Sequence, residues 1–298
     1  MLFNTSNISI DSINADFLQY KDISLSILRL DKIHPIVSGN KLFKLHYFLE
    51  EALTSNKPGI ITFGGAYSNH LVATAFLCKT NNLKSIGIVR GERPLVLSHT
   101  LRNCIDYGME LQFISREEYN KKENDDFLGN LALKWENYLI IPEGGYHPKG
   151  AAGAALITKF IAKDTTHICT AIGTATTFAG LIRGAGEDQQ IVGVPVLKGL
   201  TDINEKVAYL TKSKHAFQLF DEHHFGGYAK KTPELINFMN NIYKQYNLPT
   251  DFVYTAKMMF AIFDAIENGY FKSGSRITCV HTGGLQGNYS LPKGILQF

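Results

Sequence analysis

Ile60-Ile61-Thr62-Phe63-Gly64-Gly65-Ala66-Tyr67-Ser68-Asn69-His70 reads as a strand, a turn and the start of a helix. Ile60 to Phe63 is β-branched and aromatic, as a buried strand requires. Gly64-Gly65 breaks the run, and Ser68 or Asn69 then offers a side-chain oxygen to the free amides of a helix start. The spacing predicts a strand over Ile60–Phe63 and a helix over Ser68–Thr80.

The same pattern recurs in both directions along the chain. Ser24–Leu30, Ser85–Val89, Glu110–Ile114, Tyr138–Ile141, Ile168–Ile172, Ile191–Val194 and Arg276–Val280 read as further strands. Lys41–Leu53, Pro148–Ala162, Ala175–Gly184, Pro233–Tyr246 and Lys257–Asn268 read as helices. Strands alternating with helices of this length imply an α/β protein with parallel sheets covered on both faces. The charge run from Arg116 to Glu123 reads as a solvated helix face. No solenoid period and no low-complexity linker interrupts the pattern.

In open parallel sheets, ligands collect beyond the carboxyl ends of the strands. Four conspicuous turns occupy that position: Gly64 to Asn69, Gly144-Gly145, Gly173 to Thr177, and Thr282-Gly283-Gly284. A plain turn explains any single one; four at equivalent places suggest a site. Gly173-Thr174-Ala175-Thr176-Thr177 opens a helix with small residues, free amides and hydroxyl donors, which suits a phosphate monoester as well as it suits an ordinary cap. It lacks the lysine of a nucleotide-binding loop, and nothing nearby fits Gly-x-Gly-x-x-Gly. Ser68-Asn69-His70 is either a routine cap or a carboxylate site. Lys41 stands in the first turn of its helix, where a cation is mildly disfavoured. A nucleophilic lysine would explain it, and so would a surface lysine.

Composition bounds the rest. The 298 residues suggest about two domains. With 45% hydrophobic and 19% charged residues the chain can bury a sizeable core. A net charge of +3 gives no electrostatic argument for nucleic acid or an anionic membrane as partner. The stretch Met1 to Ser6 does not read as a secretory signal, and His167 to Ile182 is too short and broken to span a bilayer. Cys78, Cys104, Cys169 and Cys279 are widely spaced and read as buried thiols in a reducing cytoplasm. The ten histidines have no metal-ligand spacing, so no metal is expected. Gly is abundant, at 26 against 9 Pro, which suggests tight turns and close backbone approaches.

From Ser24 to Tyr289 the chain resembles the fold type II pyridoxal-phosphate enzymes, and most closely the D-cysteine desulfhydrase and 1-aminocyclopropane-1-carboxylate (ACC) deaminase family. Ser38-Gly39-Asn40-Lys41-x-x-Lys44-Leu45 is similar to the family segment bearing the Schiff-base lysine, which implies Lys41. Gly64-Gly65-x-x-Ser68-Asn69-His70 is similar to the segment whose Ser meets the substrate carboxylate and whose Asn meets the cofactor's phenolic oxygen. Gly173, Thr174, Ala175, Thr176 and Thr177 resemble the phosphate loop, and Tyr228 and Tyr254 resemble two active-site tyrosines. The resemblance further implies Ser68, Asn69, His70 and Gly145 at the substrate, and Thr255 and Thr282 at the cofactor. Leu28-Arg29-Leu30-Asp31 stands where the family has Lys-Arg-Glu-Asp, Ala175 and Thr176 where relatives often have Gly and Ser, and Glu143 adds a charge near the expected pocket.

Two positions separate the family's activities. ACC deaminases carry a Glu after the second tyrosine, where this chain has Thr255; the desulfhydrases carry His-Thr-Gly-Gly, as in His281 to Gly284. A hydroxyl holds the ring nitrogen's proton less strongly than a carboxylate does, which suits loss of an α-proton and a good leaving group. The resemblance therefore implies a lyase acting on a small amino acid, with D-cysteine as the favoured substrate. The alternatives are an ACC deaminase, a pyridoxal-phosphate binding protein without turnover, and a phosphate-binding module without cofactor. It also implies two domains, each with a mainly parallel twisted sheet flanked by helices: residues 1–52 with 156–298 holding the cofactor, and 53–155 closing over it. A cytoplasmic homodimer completes the expectation.

Overall fold

Among the described residues ten strands form: β1 (Ser9–Ile13), β2 (Ser24–Arg29), β3 (Gly59–Gly64), β4 (Lys84–Arg90), β5 (Met109–Ile114), β6 (Leu139–Ile141), β7 (His167–Ile172), β8 (Gln190–Pro195), β9 (Phe217–Leu219) and β10 (Arg276–His281). The computed structural model describes residues 2–37 and 39–298. Met1 of the opening stretch and Ser38 of the lysine segment lie outside the described residues.

The strands divide into two sheets, one in the order β1-β2-β10-β7-β8-β9 and one in the order β5-β4-β3-β6. Every pairing is parallel except β1 with β2. This is the α/β architecture of two mainly parallel sheets that the alternation of strands and helices implies. The apolar runs have the expected cause: all six residues of β3 are buried, because neighbouring strands flank it on both sides and helices cover both faces.

The helices Asn40–Thr54, Pro148–Ala155 and Thr176–Gly184 pack tightly between the sheets. Gly153 permits this approach, since a Cβ there would lie 2.1 Å from the Phe43 carbonyl oxygen. One continuous apolar core draws on both sheets, with Ile60 and Ile141 in the smaller and Ile168, Ile172 and Val280 in the larger.

Three expectations need correction. The helix expected over Pro148–Ala162 ends at Ala155, and a tighter turn follows over Leu156–Phe160; the Thr158 hydroxyl donates to the Ala155 carbonyl at 2.8 Å. β1 and β9 are edge strands that the apolar pattern does not announce. The run from Arg116 to Glu123 is helical only over Arg116–Tyr119, and Tyr119 turns inward against Phe63 at a ring separation of 6.3 Å. All four cysteines are buried and free. Among the described residues no helix is long and apolar enough to cross a membrane.

Candidate active site

The carboxyl ends of β3 and β6 face those of β7 and β10, and the glycine turns meet there. Gly39 starts the arrangement. Its φ of +89° is open to glycine, and a Cβ would sit 1.8 Å from the Thr282 carbonyl oxygen. The Gly39 amide donates to Leu30 at 2.9 Å and the Asn40 amide to Thr282 at 3.1 Å, so the lysine-bearing helix is fastened to the turn after β10. Lys41 Nζ donates to Asn40 Oδ1 at 3.0 Å, and Asn40 Nδ2 donates to Thr177 Oγ1 at 2.6 Å. Burial brings the Lys41 amine down to about 8, against the opposing pull of Asp251. Lys44, one turn on and buried, donates to the Gly144 carbonyl at 3.2 Å and approaches Thr174 Oγ1 at 3.4 Å. Burial and then the charge of Lys41 push the Lys44 amine well below the usual lysine range.

Thr177 belongs to the helix Thr176–Gly184, which opens without a side-chain cap behind Ala175 at φ +60°. The left-handed conformation of Ala175 explains why relatives often place glycine there. Thr174 Oγ1 lies 3.1 Å from Thr176 Oγ1, so uncapped amides and hydroxyls collect where a phosphate could bind.

Across the gap, Ser68 caps the helix Asn69–Thr80 by accepting from the Leu71 amide at 3.3 Å. The Thr62 hydroxyl donates to Ile141 at 2.9 Å and must therefore accept from His70 Nε2, also at 2.9 Å. Among the described residues His70 Nδ1 is left as a buried acceptor without a partner, and so is Asn69 Oδ1. Burial, with Lys41 and Lys44 nearby, holds His70 well below the usual imidazole range and hence neutral. Gly145 backs onto this group: a Cβ would meet Lys44 at 3.4 Å and His70 at 3.8 Å. At Gly284 a Cβ would lie 3.4 Å both from Asn69 Nδ2 and from the Asp251 carboxylate.

Asp251 organises the start of the helix Thr255–Glu267. Its Oδ2 accepts from the amides of Val253 and Tyr254, and its Oδ1 from the Thr255 amide, each at 2.9 Å. Oδ1 also takes the Thr255 hydroxyl at 2.7 Å. Burial raises this acid, while the four donors favour its ionised form. Behind it the His281 Nε2–H donates to Pro249 at 2.8 Å, and Nδ1 lies 3.3 Å from Asp31, which takes two bonds from Arg29. Tyr254 lies against Gly173, whose added Cβ would be 3.0 Å from its ring. Tyr228 meets Tyr254 edge-on with centroids 6.2 Å apart. Burial, then Tyr228, Asp251 and Glu143, push the Tyr254 phenol well above its ordinary range. Glu143 Oε2 stands 3.6 Å from Lys122 Nζ.

These contacts bring Lys41, Asn69, His70, Gly145, Gly173 to Thr177, Tyr228, Tyr254, Thr255 and Thr282 together as one candidate site, and Ser68 caps the helix that carries Asn69 and His70. The sequence pattern does not single out Asn40, Lys44, Asp251 or Lys257 as site residues. Asp251 had a signal, as an acid just ahead of a helix. Lys257 had a fainter one, as a lone cation in the apolar run Ala256-Lys257-Met258-Met259.

An α/β fold of two mainly parallel sheets thus brings a depressed lysine amine beside an uncapped helix start framed by glycines. The family model described as pyridoxal-phosphate dependent enzyme matches residues 21–283. A Thermotoga maritima protein described as "Putative 1-aminocyclopropane-1-carboxylate deaminase" is 30% identical over 288 residues, covering 90% of each chain. The D-cysteine desulfhydrase of Klebsiella pneumoniae is 25% identical over 283 residues, covering 86% of each. The solved structure of an ACC deaminase homologue superposes with a TM-score of 0.82 at 26% identity, over 97% of this chain and 92% of that one. The chain belongs to the pyridoxal-phosphate dependent enzymes, with the fold type II architecture. The residues fit that cofactor: a depressed amine, uncapped amides, the orphaned Asn69 Oδ1, and glycine walls that a Cβ would fill.

Proposed function

We propose that this enzyme catalyses β-elimination from D-cysteine or a related small amino acid, giving pyruvate, ammonia and sulfide. The observation that carries the reading is Thr255: a hydroxyl, already donated to Asp251 at 2.7 Å, opens the helix where ACC deaminases place a Glu. In this reading Lys41 anchors the cofactor and moves the α-proton at Nζ, because an amine near pH 8 exchanges protons readily at neutral pH. Gly173 to Thr177, with Lys44, hold the phosphate; Asn69, Thr255 and Thr282 hold the ring. Ser68, Asn69, His70 and Gly145 receive the substrate carboxylate. Tyr254, kept protonated by burial, serves with Tyr228 as a proton donor toward the leaving group. Pyridoxal phosphate supplies the electron sink that lets the substrate Cα lose its proton. Residues 53–155 form the smaller, closing domain, and the enzyme works as a cytoplasmic homodimer.

A second reading, ACC deaminase, is favoured by a different observation. The Asp251 carboxylate behind Thr255 restores negative charge to this wall of the site. The test is D-cysteine and ACC assayed side by side, within a wider screen of D- and L-amino acids for keto-acid release. Sulfide and pyruvate from D-cysteine support the first reading, and 2-oxobutyrate from ACC alone replaces it with the second. Lys41→Ala should abolish turnover and the yellow, borohydride-reducible linkage to the cofactor. Survival of that linkage would remove Lys41 from the proposal.

A further inference from the structure

We infer that Lys257 is a positioning residue, whose ammonium ties down the backbone of the 224–230 loop and so sets Tyr228 against Tyr254. The inference rests on the proposed role of Tyr228 in the site.

Lys257 is 0% exposed and stands in the first turn of the helix Thr255–Glu267, three residues beyond Tyr254, which precedes that helix. A lysine buried to this degree requires strong acceptors. Its Nζ donates to the carbonyls of His224 at 2.8 Å and Gly227 at 2.7 Å. The same two carbonyls close successive turns, accepting from the amides of Gly227 at 3.0 Å and Lys230 at 3.1 Å. The ammonium therefore stitches two turns together on either side of the residue before Tyr228.

The backbone of this loop follows an unfavourable course. Phe225 at φ +51°, Gly226 at +90°, Gly227 at +109° and Ala229 at +52° all adopt left-handed conformations, two of them unfavourable for their side chains. Such a path persists when its surroundings over-determine it. Two contacts dock the loop farther along the helix: His223 Nε2 at 3.1 Å from Asp264 Oδ2, and Phe225 edge-on to Phe260 at 4.9 Å. Of these three anchors on the Thr255–Glu267 helix, Lys257 is the one nearest Tyr254. Tyr228 is 55% exposed, so packing alone does not hold its ring.

The experiment combines Lys257→Met, Tyr228→Phe and the double variant, all loaded with pyridoxal phosphate. In Lys257→Met, exchange of the Gly227 and Lys230 amide hydrogens should quicken at least tenfold while the Thr176–Gly184 helix is unchanged. With D-cysteine or ACC, kcat should fall by about tenfold, no further than loss of the Tyr228 hydroxyl itself would take it. Tyr228→Phe should lower kcat by about tenfold alone and by less than twofold on top of Lys257→Met. Unchanged exchange, or losses that simply add, would overturn the inference and leave the functional reading intact. If neither amino acid gives product, that reading of the reaction falls, and the exchange comparison alone decides the lysine's part. Should Lys257→Met fail to fold, Lys257→Gln, a neutral donor, must still quicken exchange of the Gly227 and Lys230 amides with the Thr176–Gly184 helix unchanged; wild-type exchange in that variant overturns the inference.

Discussion

At the scale of single residues, the site was legible where chemistry and chain position coincide. Lys41, Asn69 and Gly173 to Thr177 each stand shortly after a glycine turn or a strand, and that position marks them as candidates. Asp251 and Lys257 acquire their roles from partners that the fold delivers: a glycine wall from β10 and two carbonyls some thirty residues back. Thr255 shows how much this matters. As a letter it is a neutral hydroxyl in place of a carboxylate; in space a carboxylate stands 2.7 Å behind it. Ala175 carries a prediction at this scale. Its left-handed backbone disfavours alanine by roughly 1–2 kcal/mol, whereas glycine's added chain entropy costs about 0.5–1 kcal/mol. Ala175→Gly should therefore stabilise the protein by about 0.5 kcal/mol in urea titration, with cofactor binding retained. A destabilised variant would mean that its methyl, 2% exposed, contributes more by packing than its backbone loses by strain.

Elements were legible in proportion to their burial. β3, β4, β7, β8 and β10 are central strands whose apolar runs follow from cover on both faces. β1 and β9 sit at an edge, one five residues long and one three, and their pairing depends on neighbours they find only after folding. The helices His99–Asp106, Asp125–Lys134 and Ile203–Leu210 were missed because each buries only three residues or fewer. Where elements join, the decisive contact is again a close approach. Gly39 allows the start of the Asn40–Thr54 helix to lie against the turn after β10, and a Cβ 1.8 Å from a carbonyl oxygen has no room to relax. Gly39→Ala should move Asn40 and Thr282 apart and weaken cofactor binding at least tenfold. Stability should fall by about 2–3 kcal/mol, from overpacking together with a left-handed alanine. Titration of the variant with pyridoxal phosphate, followed by absorbance, measures the first effect. Wild-type affinity would show that the two turns need not touch.

For the whole molecule, a net charge of +3 on 298 residues makes the long-range field weak, so local burial decides the state of each site group. Without cofactor, the fold holds Lys41 with an amine near 8 where an unfolded chain has one near 10.4. Below pH 8 both states carry the proton, and the folded state bears the full penalty of a buried ammonium. Between pH 8 and about 10 the unfolded chain keeps its proton and the folded one releases it, so this lysine's contribution to stability rises with pH. The slope approaches about 1.4 kcal/mol per pH unit, for a total of about 3 kcal/mol once both states have lost the proton. Lys257, also lowered to about 8, acts in the same direction. Cys78 and Cys104 act against it: burial pushes both thiols up to about 12, so above pH 8.5 the unfolded chain ionises them first and stability falls. The Lys41 share must therefore be read as a difference. Urea midpoints of cofactor-free wild type and Lys41→Met, taken from pH 6 to 10, should run parallel below pH 7. They should diverge in favour of wild type by about 2 kcal/mol between pH 8 and 10. Parallel curves throughout would mean that Lys41 keeps an ordinary amine in the folded state, and the reason for its reactivity would have to be sought in the cofactor alone.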